Sequence, residues 1–102
     1  MAVENFIGDL YRKEIMMRLD SFLSAARIFK SRTLASEAIS SSMVFVDGLA
    51  AKPAKDVTIG SILEIDTLTF YKKIEIRRLP PKNFPKSKAH ELYDILQERS
   101  KT

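Results

Sequence analysis

The spacing of the apolar residues changes at three consecutive serines, Ser40 to Ser42. Before them, apolar residues recur every three or four positions, which is the period of an amphipathic helix. After them, apolar and polar residues alternate in short runs, which is the period of a strand with one buried face. A chain that changes period in this way is expected to pack helices against a sheet, and we predict the α+β class.

Two short helices are predicted before the serines. Residues 19–26 have apolar side chains at the i, i+3, i+4 and i+7 positions of one helical face. Residues 34–39 carry a second apolar face, and Ser31 or Thr33 can cap its start. Alanines in both segments allow a close approach, so the pair is expected to form a helical hairpin. A further helical stripe in residues 5–15 predicts an additional N-terminal helix.

The strand region is organised around the dipeptide Asp47-Gly48, which lies between two short apolar runs. This pattern predicts a hairpin with a type I′ turn, because that turn needs positive φ at both central residues. Pro53 ends the return strand, since proline cannot donate to a ladder. Two further strands are predicted within residues 62–66 and 70–79.

The end of the chain predicts a linker followed by a helix. Residues 80–85 contain three prolines, which favour an extended connection. Apolar residues from Ala89 to Leu96 then share one face of a predicted C-terminal helix. We therefore expect three parts: an N-terminal helical extension (1–16), a central domain with a basic strand (17–79), and a linker with a C-terminal helix (80–102).

The composition excludes several classes of function. The chain has 102 residues, no cysteine and one histidine, so it offers one domain and no disulfide framework, thiolate zinc site or cysteine nucleophile. No apolar run approaches the roughly 20 residues of a membrane span, and the start does not resemble a signal peptide. We expect a cytoplasmic binding protein that is not an enzyme, with no metal, cofactor, membrane or small-molecule substrate.

The net charge of +4 is concentrated in two blocks. The first block lies between Arg18 and Arg32. The second lies between Lys72 and Lys88, where seven Lys and Arg stand against one Glu and give residues 67–88 a net charge of +6. Such blocks attract a phosphate-rich partner through charge neutralisation and counterion release, although they also serve as ordinary solvated faces.

Three segments together resemble the S4-type (alpha-L) RNA-binding domain. They are the helix start Arg18-Leu19-Asp20, the basic turn Lys30-Ser31-Arg32-Thr33 and the hairpin from Val44 to Gly48. The resemblance covers residues 17–66. A free-standing S4 domain followed by a basic strand, a linker and a short helix is similar to the small ribosome-associated proteins of the heat-shock protein 15 and ribosome quality-control P families.

This resemblance implies a two-helix hairpin packed on a small, mostly antiparallel sheet, with RNA bound by the helix pair and the nearby hairpin. Arginine suits this role because its planar fork binds phosphate through two hydrogen bonds or stacks on a base. Asp20 is expected to orient Arg18. The candidate RNA-binding residues are Arg18, Arg27, Lys30, Arg32, Thr33 and Lys52. A possible secondary basic surface consists of Lys72, Lys73, Arg77 and Arg78.

The chain departs from the family pattern at two places. Many relatives have glycine and then a basic residue where this chain has Ser42 and Met43. Serine tolerates a left-handed helix end poorly, so the second helix is expected to close differently or with strain. The other departure is the segment of 16 residues before Met17, which is either an added helix or upstream of the true translation start.

The resemblance implies binding of rRNA and tRNA on the large ribosomal subunit, by a monomer that recognises stalled subunits holding peptidyl-tRNA. Three alternatives remain at this point: a ribosome-assembly factor, a general binder of structured RNA, and a helix-turn-helix DNA-binding protein. An RNA-modifying enzyme is disfavoured, because the chain has no room for a catalytic domain.

Overall fold

The computed structural model describes residues 15–102. The predicted N-terminal helix of residues 5–15 therefore lies almost entirely outside the described residues. The elements, in chain order, are β1 (Met17–Arg18), α1 (Leu19–Ala25), α2 (Arg32–Ser40), β2 (Val44–Val46), β3 (Leu49–Ala50), β4 (Asp56–Val57), β5 (Ile62–Asp66), β6 (Phe70–Ile76), a 3₁₀ helix (Lys86–Leu92) and β7 (Tyr93–Ser100).

Five strands form one antiparallel sheet in the order β3-β2-β5-β6-β7. Alternate residues of β2, β5 and β6 are buried, and they join the apolar faces of α1 and α2 in one core. β1 and β4 form a separate antiparallel pair, which the sequence did not predict. The α+β class and the two-helix hairpin on an antiparallel sheet are confirmed. No helix in residues 15–102 is long and apolar enough to cross a membrane.

The hairpin turn has the predicted geometry. Asp47 has φ of 49° and Gly48 has φ of 86°, so both central residues are left-handed. The Asp47 carboxylate also accepts a hydrogen bond of 2.9 Å from the backbone N–H of Ile62, at the start of β5. The turn is thereby tied to the adjacent strand of the sheet.

Both helices end without glycine, although each closes with a left-handed residue. Arg27 has φ of 59° and Ser42 has φ of 60°. After α1 the N–H of Ile28 donates to the carbonyl of Leu23, and after α2 the N–H of Met43 donates to the carbonyl of Ala38. This six-residue closure is the Schellman motif, in which glycine is the usual left-handed residue. Ser42 therefore has the left-handed conformation for which strain was predicted.

The predicted C-terminal helix is wrong from Tyr93 onward. Residues Lys86–Leu92 form a 3₁₀ helix, and Tyr93–Ser100 form β7, which pairs with β6 from Tyr93 to Ser100 except at Leu96, where the register shifts. The Leu92 side chain is buried, and the backbone carbonyl of Leu92 accepts the backbone N–H groups of both Arg77 and Arg78. The open edge of β6 thus supplies hydrogen bonds that outweigh the local helical pattern, since an isolated helix this short is marginal.

Candidate nucleic-acid interface

The first basic block is organised by a buried carboxylate in the first turn of α1. Asp20 is 1% exposed. Its two oxygens accept hydrogen bonds from the Arg18 guanidinium at 3.1 and 3.0 Å, from Arg32 Nε at 3.3 Å and from Ser36 Oγ at 2.9 Å. A further bond of 2.8 Å comes from the backbone N–H of Ser21. One carboxylate therefore joins the start of α1 to the first turns of α2.

The hydrogen bonds keep Asp20 ionised in spite of its burial. Burial alone would raise the pKa of this carboxyl group, because it disfavours the charged form. The donors from Arg18, Ser36 and Arg32, together with the Ser21 N–H, outweigh burial and lower the pKa from 3.8 to about 2. The same contact raises the pKa of Arg18. The site is thus a fixed charge arrangement at neutral pH.

Asp20 holds two arginines that still face solvent. The side chains of Arg18 and Arg32 are 45% and 57% exposed. Arg32 gives Asp20 only its Nε group, and in the described part of the chain its two Nη groups have no hydrogen-bond partner. A guanidinium that is held on one side and open on the other is arranged to bind phosphate without a large loss of side-chain entropy.

The other cations of the first block lie at the turn between the helices. Arg27 is exposed at the left-handed end of α1 and donates from Nη1 to the carbonyl of Lys30 at 3.0 Å. Lys30 and Thr33 are also exposed. Ser31 caps α2, with its hydroxyl accepting the N–H of Leu34 at 3.1 Å. The turn thereby places its cations beside the pair held by Asp20.

Lys52 lies in a segment that contacts the start of α1, where the carbonyl of Pro53 accepts the backbone N–H of Asp20 at 3.2 Å. Lys52 is exposed just after β3. It lines a groove of about 500 Å³ with Lys55 and the apolar residues Leu49 and Ala51. The structure therefore assembles the candidates from Arg18 to Thr33 on the helix pair and places Lys52 beside the hairpin.

Two arginines and one lysine of the second basic block contact groups on their own strand or in the C-terminal segment. Arg77 pairs with Asp94 at 3.3 Å, and Arg78 pairs with Glu91 at 3.4 Å. Lys72 Nζ lies 5.6 Å from the centre of the Phe70 ring, and Lys73 is half-buried opposite Gln97 of β7. The two arginines of the predicted secondary surface are therefore paired with carboxylates that are themselves exposed, and among residues 15–102 the two lysines have no carboxylate partner.

Sequence reasoning missed one part of the basic surface. Lys82 and Lys86 belong to the second block in sequence, yet in space they line a groove with Arg27 and Arg32 of the first block. The sequence showed their charge and the prolines of residues 80–85. It gave no sign that this connection returns to the helix pair.

A helix pair with a basic face beside a tight hairpin is the arrangement of an S4 domain, and the S4 domain family matches residues 17–63. The fold and the site therefore define an S4-domain protein.

Individual proteins match a larger part of the chain. The RQC P-site tRNA stabilizing factor of Listeria innocua is 38% identical over 82 residues, covering 80% of this chain and 88% of that protein. Heat shock protein 15 of Escherichia coli is 31% identical over 84 residues, covering 82% of this chain and 63% of that protein.

A solved structure agrees with these relatives. The trimeric structure of heat shock protein 15 from Vibrio cholerae superposes with a TM-score of 0.72 at 32% identity, covering 78% of this chain and 81% of that one. The chain belongs to the family of small S4-domain RNA-binding proteins that includes the RQC P-site tRNA stabilizing factors and heat shock protein 15.

Proposed function

We propose that this protein binds RNA on the large ribosomal subunit and stabilises peptidyl-tRNA on stalled subunits during ribosome quality control. The similarity to proteins named RQC P-site tRNA stabilizing factor, over most of both chains, supports this role. The observation that carries the proposal is the pair Arg18 and Arg32, held by buried Asp20 within the segment that matches the S4 domain.

The proposed mechanism is occupancy. The exposed guanidinium groups of Arg18, Arg27 and Arg32 bridge phosphates of rRNA and tRNA, and no covalent bond is made or broken. Because Asp20 fixes two of these groups before RNA arrives, less conformational entropy is lost on binding. Structured RNA presents phosphates and 2′-hydroxyls across a shallow groove, which suits a rigid cationic surface of this kind.

We further propose that the protein acts in the cytoplasm as a monomer, without a metal or cofactor. The proposed RNA contacts are Arg18, Arg27, Lys30, Arg32 and Thr33 on the helix pair and Lys52 at the hairpin. Lys72 and Lys73 are proposed to extend this surface only weakly, together with the paired Arg77 and Arg78.

Co-sedimentation with large ribosomal subunits tests this proposal. The test variants are Arg32→Ala and the double variant Arg18→Ala with Arg32→Ala. The matched control is Arg99→Ala with Lys101→Ala, which removes two cations at the end of β7 and just after it, outside the proposed RNA surface. We expect wild type and control to pellet with the subunits and the double variant to remain mostly in the supernatant.

Arg18→Ala leaves the Asp20 carboxylate with fewer donors, so circular dichroism must show that each variant is folded. Arg32→Ala removes a single hydrogen bond from Asp20 and provides the milder version of the same test. Undiminished co-sedimentation of both folded variants contradicts the proposed surface. Recovery of precursor particles, instead of mature subunits with peptidyl-tRNA, assigns the protein to ribosome assembly.

A further inference from the structure

A groove of about 450 Å³ lies between α1 and the connection that joins β6 to the 3₁₀ helix. One wall comes from the exposed side of α1 and the start of α2, including Ser21, Ser24 and Ala25. The other wall is formed by residues 80–84 together with Lys86. The volume lies in the range of small-ligand pockets, which is about 300–1,000 Å³.

The groove carries charge of one sign. Arg27 and Arg32 line it from the helix pair, and Lys82 and Lys86 line it from the connection. No aspartate or glutamate is among the described residues that line it. Of the four cations, only Arg32 has a carboxylate partner among residues 15–102, the buried Asp20. The groove therefore favours an occupant with negative charge, because a phosphate there is attracted by both walls.

The groove also has apolar lining. Met17, Ala25, Pro80, Pro81 and Phe84 contribute apolar surface between the cationic groups. The ring of Phe84 packs against the core and lies 5.0 Å from the Arg78 guanidinium, which keeps the ring in place. A simple anion gains nothing from an apolar wall. A nucleotide does, since its base is flat and apolar on its faces while its phosphate is charged.

We propose that this groove accepts one unpaired nucleotide of the bound RNA, with the base against the apolar wall and the adjoining phosphates on the four cations. The inference rests on the proposed RNA-binding function and deepens it. Arg32 belongs both to the pair held by Asp20 and to the groove, so the two parts of the surface form a continuous path for one RNA strand. The protein would then prefer structured RNA that carries an unstacked base.

Fluorescence anisotropy with two short RNA duplexes tests the groove. One duplex is fully paired, and the other has the same sequence with a single bulged 2-aminopurine. A bulged base is already unpaired, so its insertion does not incur the cost of opening a base pair. We expect the bulged duplex to bind at least about fivefold tighter than the paired one, and its 2-aminopurine fluorescence to change on binding.

Two variants separate the groove from the surrounding charge. Ser24→Met fills the groove from α1 without changing charge, and Ser40→Met is its control because Ser40 is exposed on α2 outside the groove. Lys82→Ala with Lys86→Ala removes cations from the groove, and Lys88→Ala is the control from the same block. We expect Ser24→Met to abolish the preference for the bulge while affinity for paired RNA stays within about twofold.

The outcomes distinguish this inference from the proposed function. Equal affinity of wild type for both duplexes overturns the groove assignment and leaves RNA binding by the helix pair intact. Absence of binding to either RNA overturns the proposed function itself. If folded Ser24→Met and the folded double lysine variant still prefer the bulged duplex, the groove does not hold the nucleotide. Tighter binding of a labelled poly-glutamate peptide than of the bulged RNA also contradicts the proposal that the groove accepts a nucleotide.

Discussion

Asp20 is nearly fully buried, and its pKa of about 2 lies below the usual value of 3.8. A carboxyl group whose pKa is lower in the folded state stabilises the protein above its unfolded pKa, and that stabilisation is lost as pH falls through the folded value. For Asp20 the pKa difference corresponds to about 2 kcal/mol at neutral pH. We therefore expect the free energy of unfolding to fall between about pH 4 and pH 2.

Urea unfolding of wild type and of Asp20→Asn across this range measures the effect. The substitution removes the charge and keeps the shape, and we expect it to destabilise the protein by about 2 kcal/mol at pH 7. The difference in free energy of unfolding between wild type and Asp20→Asn should become smaller as the pH approaches 2. A difference that stays constant from pH 7 to pH 2 would show that it does not come from the charge of Asp20, because that carboxyl group is partly protonated at pH 2 and asparagine is neutral throughout.

Ser42 closes α2 in a left-handed conformation that serine adopts at a cost. Ser42→Gly should relieve this strain, and we expect a gain of about 0.5–1 kcal/mol in the free energy of unfolding. Ser41→Gly is the matched control, because Ser41 has φ of −89° and glycine there only adds flexibility. Thermal unfolding compares the Tm of the two variants. Equal shifts in Tm would show that the left-handed conformation of Ser42 is not strained.

Among the helices and strands, the sequence predicted those elements whose structure is determined by neighbouring residues. The period of residues 19–26 identified α1, and Asp47-Gly48 identified the hairpin, because helix faces and turn φ angles are set by neighbouring residues. β7 could not be found in this way, since its apolar spacing also fits a helix and its partner strand lies some twenty residues earlier. The groove was missed for the same reason: its two walls are separate in sequence.

A substitution at Gln97 separates the strand from the helix that the sequence pattern suggested. Gln97 is exposed in β7 opposite Lys73. Valine favours a strand and disfavours a helix, so we expect Gln97→Val to stabilise the protein by about 0.5 kcal/mol. Gln97→Ala, which favours a helix, should destabilise it by a similar amount. Denaturant unfolding compares the two, and the opposite ranking would contradict the strand assignment.

For the whole molecule, folding changes the meaning of the charge distribution. In sequence, residues 67–88 carry the largest excess of positive charge. In space, Asp94 and Glu91 of the C-terminal segment lie against Arg77 and Arg78. Both blocks thus hold arginines that pair with a carboxylate and still face solvent, but only Arg18 and Arg32 are oriented by a buried partner, since Asp94 and Glu91 are themselves exposed.

This difference should appear in the salt dependence of RNA binding. Each cation that neutralises a phosphate releases counterions, so four contacts from the first block give a slope of roughly −3 in log affinity against log salt concentration. Arg27→Asn removes one cation and keeps a residue that tolerates the left-handed helix end. We expect its slope to be shallower by about 0.8.

Arg77→Asn is the comparison, since it removes one cation from the second block, which is proposed to contribute only weakly, and we expect it to change the slope by much less than about 0.8. Titration of a fluorescent RNA at several KCl concentrations measures both slopes under one set of conditions. If Arg77→Asn makes the slope as much shallower as Arg27→Asn does, RNA phosphates contact both basic blocks equally, which contradicts the preference for the helix pair. If only Arg27→Asn changes it, the phosphates lie on the helix pair, because counterion release counts only the cations that contact RNA.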